Sequence, residues 1–326
     1  MDGKIAFEEH WAMDSTLGVL GQLAETGDGW RELARRLLDF QDLRLAEMDA
    51  SGIELAILSL NTPAVQAIVD VNEAIELARR ANDRLAEEIG RRPDRFAGLA
   101  ALPMQDAEAA IEELRRSVRE LGFKGALVNG FSQKDVPDSA IFYDQPEYRP
   151  FWAAVQELDV PFYLHPRVTI AERAQAYDGH PWLLSPIWDY AAQTSLHAMR
   201  LICSGLFDEF PRLRIILGHF GEGIPYDLWR IDHLAGALTR KIPAKKPIGD
   251  YFRANFHLTT SGHFHDATLN CAVAEMGADR ILFSVDYPFE TNQAAASWFD
   301  KVDLSQADRL RIGRTNAIRL FGLDLA

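Results

Sequence analysis

Lys4-Ile5-Ala6-Phe7-Glu8-Glu9-His10 is a short apolar run that stops abruptly in three ionisable residues. Read as a strand, its side chains alternate between faces, so Glu8 and His10 point one way and Glu9 the other. An acid and an imidazole side by side at a strand end can hold a divalent cation. Taken alone, such a tripeptide is more commonly a surface strand end with a chance histidine. Its meaning depends on what distant parts of the chain bring to it.

The pattern of apolar run, polar stop and helical stretch recurs along the chain. Residues 53–60 stop at Asn61, 96–102 at Pro103, 123–128 at Asn129 and 160–164 at His165. Residues 213–217 run into Gly218-His219, 256–259 stop at Thr260, and 281–284 lead through Val285 to Asp286. Between them, 30–50, 72–92, 106–121, 147–158, 190–207 and 266–276 carry helical spacing of apolar residues. Eight strand-then-helix units predict an α/β fold with a parallel sheet closed into a (β/α)8 TIM-like barrel. An open doubly wound sheet would favour a glycine-rich phosphate turn after the first strand, where Glu-Glu-His stands instead. No repeat, low-complexity tract or linker divides the chain, so residues 1–326 are expected to form a single domain. Residues 11–29 read as a loop of lid type, and 167–188, with His180 and Trp188, as a second excursion.

Composition narrows the function classes. At 48% hydrophobic the chain can fill a large core. It contains no uninterrupted apolar run of the ~20 residues that a membrane span requires, and its start lacks the basic-then-apolar pattern of a secretory signal. Two cysteines, Cys203 and Cys271, suit a reducing compartment, so a cytoplasmic location with no membrane association is expected. A net charge of −14, without a basic stripe carrying interleaved aromatics, argues against nucleic acid as a partner. Lys241, Lys245 and Lys246 read as a solvated loop.

Barrel active sites lie at the carboxyl ends of the strands. Those ends supply Glu8, His10, His165, His219 and Asp286. Mixed carboxylate and imidazole ligands suit Zn²⁺, Mn²⁺ or Fe²⁺ and differ from an all-oxygen Ca²⁺ cage. The expected ligands are Glu8, His10 and His165, with Asp286 the fourth, around one divalent ion: Zn²⁺, with Mn²⁺ the alternative. In His219-Phe220-Gly221-Glu222, His219 could ligate the metal or meet substrate while Glu222 orients its other nitrogen. Equally, Glu222 could do no more than favour a helix start. Arg230 and Asp232 read as a structural pair. His263 is placed at a pocket rim, His265 in solvent and His180 on the second excursion, whereas His197, His233 and His257 read as structural. No Ser-His-Asp order or Gly-x-Ser-x-Gly elbow is present.

Taken together, several stretches resemble the metal-dependent, non-oxidative decarboxylase branch of the amidohydrolase superfamily, the branch that includes the γ-resorcylate decarboxylases. They are Glu8-Glu9-His10, Ile57-Leu58-Ser59-Leu60-Asn61, Gly125-Ala126-Leu127-Val128-Asn129-Gly130, Pro161-Phe162-Tyr163-Leu164-His165-Pro166-Arg167, Leu217-Gly218-His219 with Gly221-Glu222, and Ile281-Leu282-Phe283-Ser284 leading to Asp286. The resemblance implies a distorted barrel in a homodimer or homotetramer. Its metal would be held by Glu8, His10, His165 and Asp286, and His219 and Glu222 would complete the site. The implied substrate is a small aromatic carboxylic acid, a hydroxybenzoate such as 2,6-dihydroxybenzoate. It would lose CO₂ to give a phenol, with Asp286 protonating the ring carbon and Trp188, Tyr287 and Phe289 available to wall the ring. Leu234-Ala235, Val168 and Tyr287 depart from the pattern of the γ-resorcylate group, which leaves the particular hydroxybenzoate open. The alternative is hydrolysis of an amide or lactone by metal-bound hydroxide with Asp286 as base. Glu8 counts against it, because it stands where many hydrolases of the superfamily have histidine. A metal-binding scaffold without catalysis is the third reading.

Overall fold

The computed structural model describes residues 1–21, 28–238 and 241–325. Its strands are β1 (Lys4–Trp11), β2 (Ile53–Leu60), β3 (Phe96–Gly98), β4 (Ala126–Asn129), β5 (Ser132–Lys134), β6 (Val136–Ile141), β7 (Phe162–His165), β8 (Ile215–Leu217), β9 (Phe256–Thr259) and β10 (Ile281–Leu282). Parallel pairing runs β1-β2-β3 in one set and β10-β9-β8-β7-β4 in the other. Two seams close the ring. An isolated parallel bridge joins Ala100 to Ala126, and His10 N–H donates to the Tyr287 carbonyl at 2.7 Å. The expected eight-stranded barrel results. β5 and β6 form an antiparallel hairpin outside it.

Side-chain alternation divides the apolar residues into two layers. Ile5, Phe7, Leu55, Ile57, Leu127, Tyr163, Ile216 and Leu282 fill the barrel interior together with Leu320 and Phe321 from the C-terminal helix Asn316–Phe321. Phe7 and Phe321 meet edge to face at 5.4 Å, so that helix plugs one end of the barrel. Ala6, Leu58, Val128, Leu164, Leu217 and Leu258 point outward into the layer beneath the helices. Helix Val71–Arg91 shows how that layer is built: Asp70 accepts from Glu73 N–H at its start, and Ala74, Leu77, Ala78, Ala81 and Leu85 form its buried stripe. Each such leucine, fully buried, contributes about 2 kcal/mol. No described helix is long and apolar enough to cross a membrane.

Several local expectations change. Helix Asp14–Gly21 occupies part of the stretch read as a loop, and residues 22–27 of that stretch lie outside the described residues. The helix expected over 30–50 is two, Asp28–Leu38 and Leu43–Ala50. The break comes where the Asp39 carboxylate accepts Arg44 N–H at 2.9 Å, a bond that competes with helix continuation. The hairpin β5–β6, which the strand-then-helix pattern does not include, turns at Asp135 with φ 63°. Arg230 and Asp232 form no ion pair: Arg230 is exposed, and Asp232 accepts from Gly249 N–H at 3.0 Å. His233 is exposed and stacks on Trp229 rather than supporting the core.

Candidate metal centre and active site

The interior of β1 holds Ile5 and Phe7, so simple alternation would send Glu9 inward and Glu8 and His10 outward. A β-bulge reverses this. Phe7 pairs with Ile57 and Glu9 with Leu58, leaving Glu8 as the extra residue, with φ 64°. The inserted residue puts Glu8 inside next to Phe7, and His10 comes back inside opposite Ser59. Glu9 faces the outer layer, fully buried, accepting from Val285 N–H at 3.2 Å. Burial pushes its carboxyl up to about 8 against the opposing pull of the Arg44 guanidinium. Arg44 is itself buried, donates to the His10 carbonyl at 2.5 Å and lies 4.5 Å from the Tyr287 ring centroid.

Ligand-capable atoms of Glu8, His10, His165 and Asp286 all lie within 4.8 Å of one another. His165 Nε2 is 3.2 Å from Glu8 Oε1, and His10 Nε2 is 3.4 Å from Asp286 Oδ1. Glu8 Oε1 and His10 Nε2 are buried and have no hydrogen-bond partner. Unpaired buried polar atoms are costly, and a cation seated among them would remove that cost. The four expected ligands therefore fit one divalent ion by donor type and by geometry. Burial would raise the Glu8 carboxyl, but His219, His165 and His10 hold it well below the usual carboxylate range. Burial pulls His165 down, with Glu8 opposing.

His219 and Glu222 are brought together by an unusual turn. Residues 219–223 carry φ values of 50°, 54°, 82°, 56° and 81°, a left-handed run that ends where helix Ile224–Ala237 begins. Left-handed backbone costs a residue with a side chain roughly 1–2 kcal/mol. Among the described residues eight non-glycine positions have positive φ, and Glu8, His219, Glu222 and Asp286 are four of them. Strain of this kind gathers at working sites. The turn sets His219 Nδ1 2.8 Å from Glu222 Oε1 and aims Nε2 at the cluster, 3.6 Å from Asp286 Oδ2 and 3.8 Å from Glu8 Oε1. Glu222 thus orients His219. Burial disfavours charge on His219, yet Glu222 and Glu8 hold the imidazolium well above the usual histidine range.

A cavity of about 520 Å³ opens over these groups, lined among others by Ile187, Tyr190, His263, Phe289 and Glu290. Phe289 lines the cavity and meets the His10 ring edge to face at 5.7 Å. The other two expected walls lie elsewhere. Tyr287 is wholly buried beneath Arg44, and Trp188 lines the neighbouring groove and is 62% exposed. His263 lines the cavity and His265 is exposed, whereas His180 is exposed and packs against Trp182. Tyr190, Glu290 and the hydroxyls of Tyr163, Thr259 and Ser261 were not anticipated. For Tyr163 a signal existed, since it stands two residues before His165 and shares its face.

A family model described as amidohydrolase matches residues 10–323. The γ-resorcylate decarboxylase of Rhizobium sp. (strain MTP-10005) is 59% identical over 99% of both chains. A solved 2,6-dihydroxybenzoate decarboxylase in complex with 2,6-dihydroxybenzoate has a TM-score of 0.97 and 58% identity, over 99% of this chain and all of its own. A dihydroxybenzoic acid decarboxylase from Polaromonas sp. JS666, solved with manganese and the inhibitor 2-nitroresorcinol, has a TM-score of 0.97 and 55% identity. It covers 100% of this chain, which covers 98% of it.

Proposed function

The chain belongs to the amidohydrolase family, and on that premise we propose that it is a metal-dependent carboxy-lyase acting on 2,6-dihydroxybenzoate. The products are CO₂ and the diphenol. The observation that carries this reading is the convergence of two carboxylates and two imidazoles at the barrel mouth, beneath a cavity with room for a substituted ring.

Glu8, His10, His165 and Asp286 would hold the ion. A divalent ion held there would supply a Lewis acid that anchors and polarises an aromatic carboxylate. The protein's own work is proton transfer and orientation. Asp286 gives its carboxyl proton to the ring carbon that bears the carboxylate, and aromaticity is lost. The bond from that carbon to the carboxylate then breaks, its electron pair restores the ring, and CO₂ departs. His219, turned by Glu222, faces Asp286 and is placed to return the proton. Phe289 and Ile187 flank the ring.

Of the two ions that suit these ligands, Mn²⁺ is the proposed occupant and Zn²⁺ its competitor. The Polaromonas relative holds manganese, and a pair of oxygen ligands suits that ion. The chain is further proposed to work as one domain and as a homodimer or homotetramer. Tyr226 and Trp229 are 83% and 72% exposed on helix Ile224–Ala237 with Leu234, and Leu196, also exposed, lines the groove that reaches Glu222; exposed apolar side chains of this size mark a candidate contact surface. Trp229→Asp should halve the mass measured by light scattering, and an unchanged mass refutes this contact surface.

Elemental analysis of purified protein, coupled to CO₂ release across a hydroxybenzoate panel, tests the reaction. Asp286→Asn should keep its metal and lose CO₂ release. Persistent release would remove Asp286 from the proton step. Hydrolysis of a lactone or amide with no CO₂ from any hydroxybenzoate would replace the lyase reading.

A further inference from the structure

Behind Glu8, on the side away from the ligand cluster, lie three hydroxyls that the proposed reaction leaves unused. Tyr163 and Ser261 each donate to Glu8 Oε2, and Thr259 Oγ1 stands 3.3 Å from the same atom. Thr259 and Ser261 are linked at 2.6 Å. Each of the three residues is fully buried. Glu8 Oε1, by contrast, has no hydrogen-bond partner and faces His165 Nε2 at 3.2 Å. The two oxygens of one carboxylate therefore have separate tasks.

We infer that Tyr163, Ser261 and Thr259 are positioning residues that hold Glu8 as a single-oxygen metal ligand through Oε1. The inference rests on the metal site proposed above. A carboxylate oxygen has two lone pairs, and on Oε2 the hydroxyls take both. To bind an ion through both oxygens, Glu8 would have to break these bonds, so a coordination position stays open for the substrate. The backbone guards the same geometry. A side chain at Gly218 would place its Cβ 3.1 Å from both Glu8 oxygens and from the Tyr163 hydroxyl. Gly218 has φ −67° and ψ 178°, which any residue adopts, so the glycine answers a need for space. β7 supplies both the expected ligand His165 and the hydroxyl behind Glu8, as Tyr163 and His165 share a face two residues apart.

The test is Mn²⁺ binding to metal-free protein, followed by calorimetry and by the paramagnetic resonance spectrum of the bound ion. Tyr163→Phe and Ser261→Ala should each weaken Mn²⁺ binding roughly 10–100-fold, the range for groups that orient a ligand from behind. Both should alter the spectrum and raise KM for 2,6-dihydroxybenzoate more than they lower kcat, because a freed Oε2 competes for the substrate's position. Ser261→Thr restores a hydroxyl and should recover most of the affinity. Gly218→Ala keeps every hydroxyl and should still weaken binding by crowding the carboxylate. Native affinity and spectrum in Tyr163→Phe, Ser261→Ala and Gly218→Ala would overturn the cradle alone. Wild-type protein that takes up no Mn²⁺ would overturn the metal reading beneath it.

Discussion

His219 and His257 both belong to barrel strands or their ends, yet their surroundings push them in opposite directions. At the mouth, His219 is ringed by Glu222, Glu8 and Asp286, which favour its charged form despite burial. At the plugged end, His257 shares the inward face of β9 with Thr259 and pairs in register with Ile216. Burial there, reinforced by Arg280 and Arg214, pushes it down to about 3. One barrel thus offers two electrostatic environments separated by about one strand length. Acids and imidazoles converge at the end where a cation can be seated, and the other end excludes added positive charge. The fold supplies the tube, and the charge placed at each end decides which end does chemistry.

The sharpest way to break this contrast is at the mouth. Glu8→Gln removes the charge on which the cluster depends. It should weaken metal binding beyond the roughly 10–100-fold expected for a group behind a ligand. CO₂ release should fall with it, as measured by metal titration of the variant. Glu222→Gln is the milder change: His219 loses its orienting anion, and kcat should drop on the order of 10²-fold with metal content unchanged. Loss of metal in that variant would make Glu222 part of the ion's support instead.

The smallest effect lies at the plugged end and concerns stability alone. His257 in the folded protein stays neutral down to about 3, whereas in the unfolded chain it takes a proton near the ordinary histidine value of 6.5. The unfolded state therefore binds more protons between those values, and stability is lost as pH falls below about 6.5. At about pH 5.5 this amounts to roughly 1.4 kcal/mol for His257. His257→Gln should leave kcat unchanged and reduce the stability lost between about pH 7.5 and 5.5, as read from denaturant midpoints. His197, also buried and pushed down to about 3, adds a parallel loss that His257→Gln leaves in place. An acid limb identical to wild type would show that His257 does not face the environment described.

The strand ends were legible because each apolar run stops at a polar residue, and the barrel brings those stops to one rim. That reading found Glu8, His10, His165 and Asp286, and it found the His219–Glu222 spacing without deciding what it does. The left-handed turn brings the two side chains to 2.8 Å, and nothing in His-Phe-Gly-Glu-Gly fixes five consecutive positive φ values without the strands around it. Aromatic side chains were the least legible. Tyr287 and Phe289 stand two apart, yet one is buried beneath Arg44 and the other lines the cavity. The hydroxyls behind Glu8 lay hidden for the same reason, since Tyr163 and Ser261 meet only when β7 and the end of β9 share an interior. The placement of Glu8 and His10 was right, but the alternation behind it was incomplete, because it ignored which way Ile5 and Phe7 face.

The bulge in β1 makes Glu8 an addition to the strand and not an exchange within it. A chain lacking that one residue would pair Phe7, Glu9 and His10 with Ile57, Leu58 and Ser59 in unbroken register, with His10 where it is now. Such a barrel would be more regular and free of one left-handed residue, but its first strand would hold no carboxylate facing the barrel interior. The first ligand is therefore set by the length of the segment as much as by its letters. Substitutions can retune this strand, whereas a single deletion would separate the fold from its chemistry.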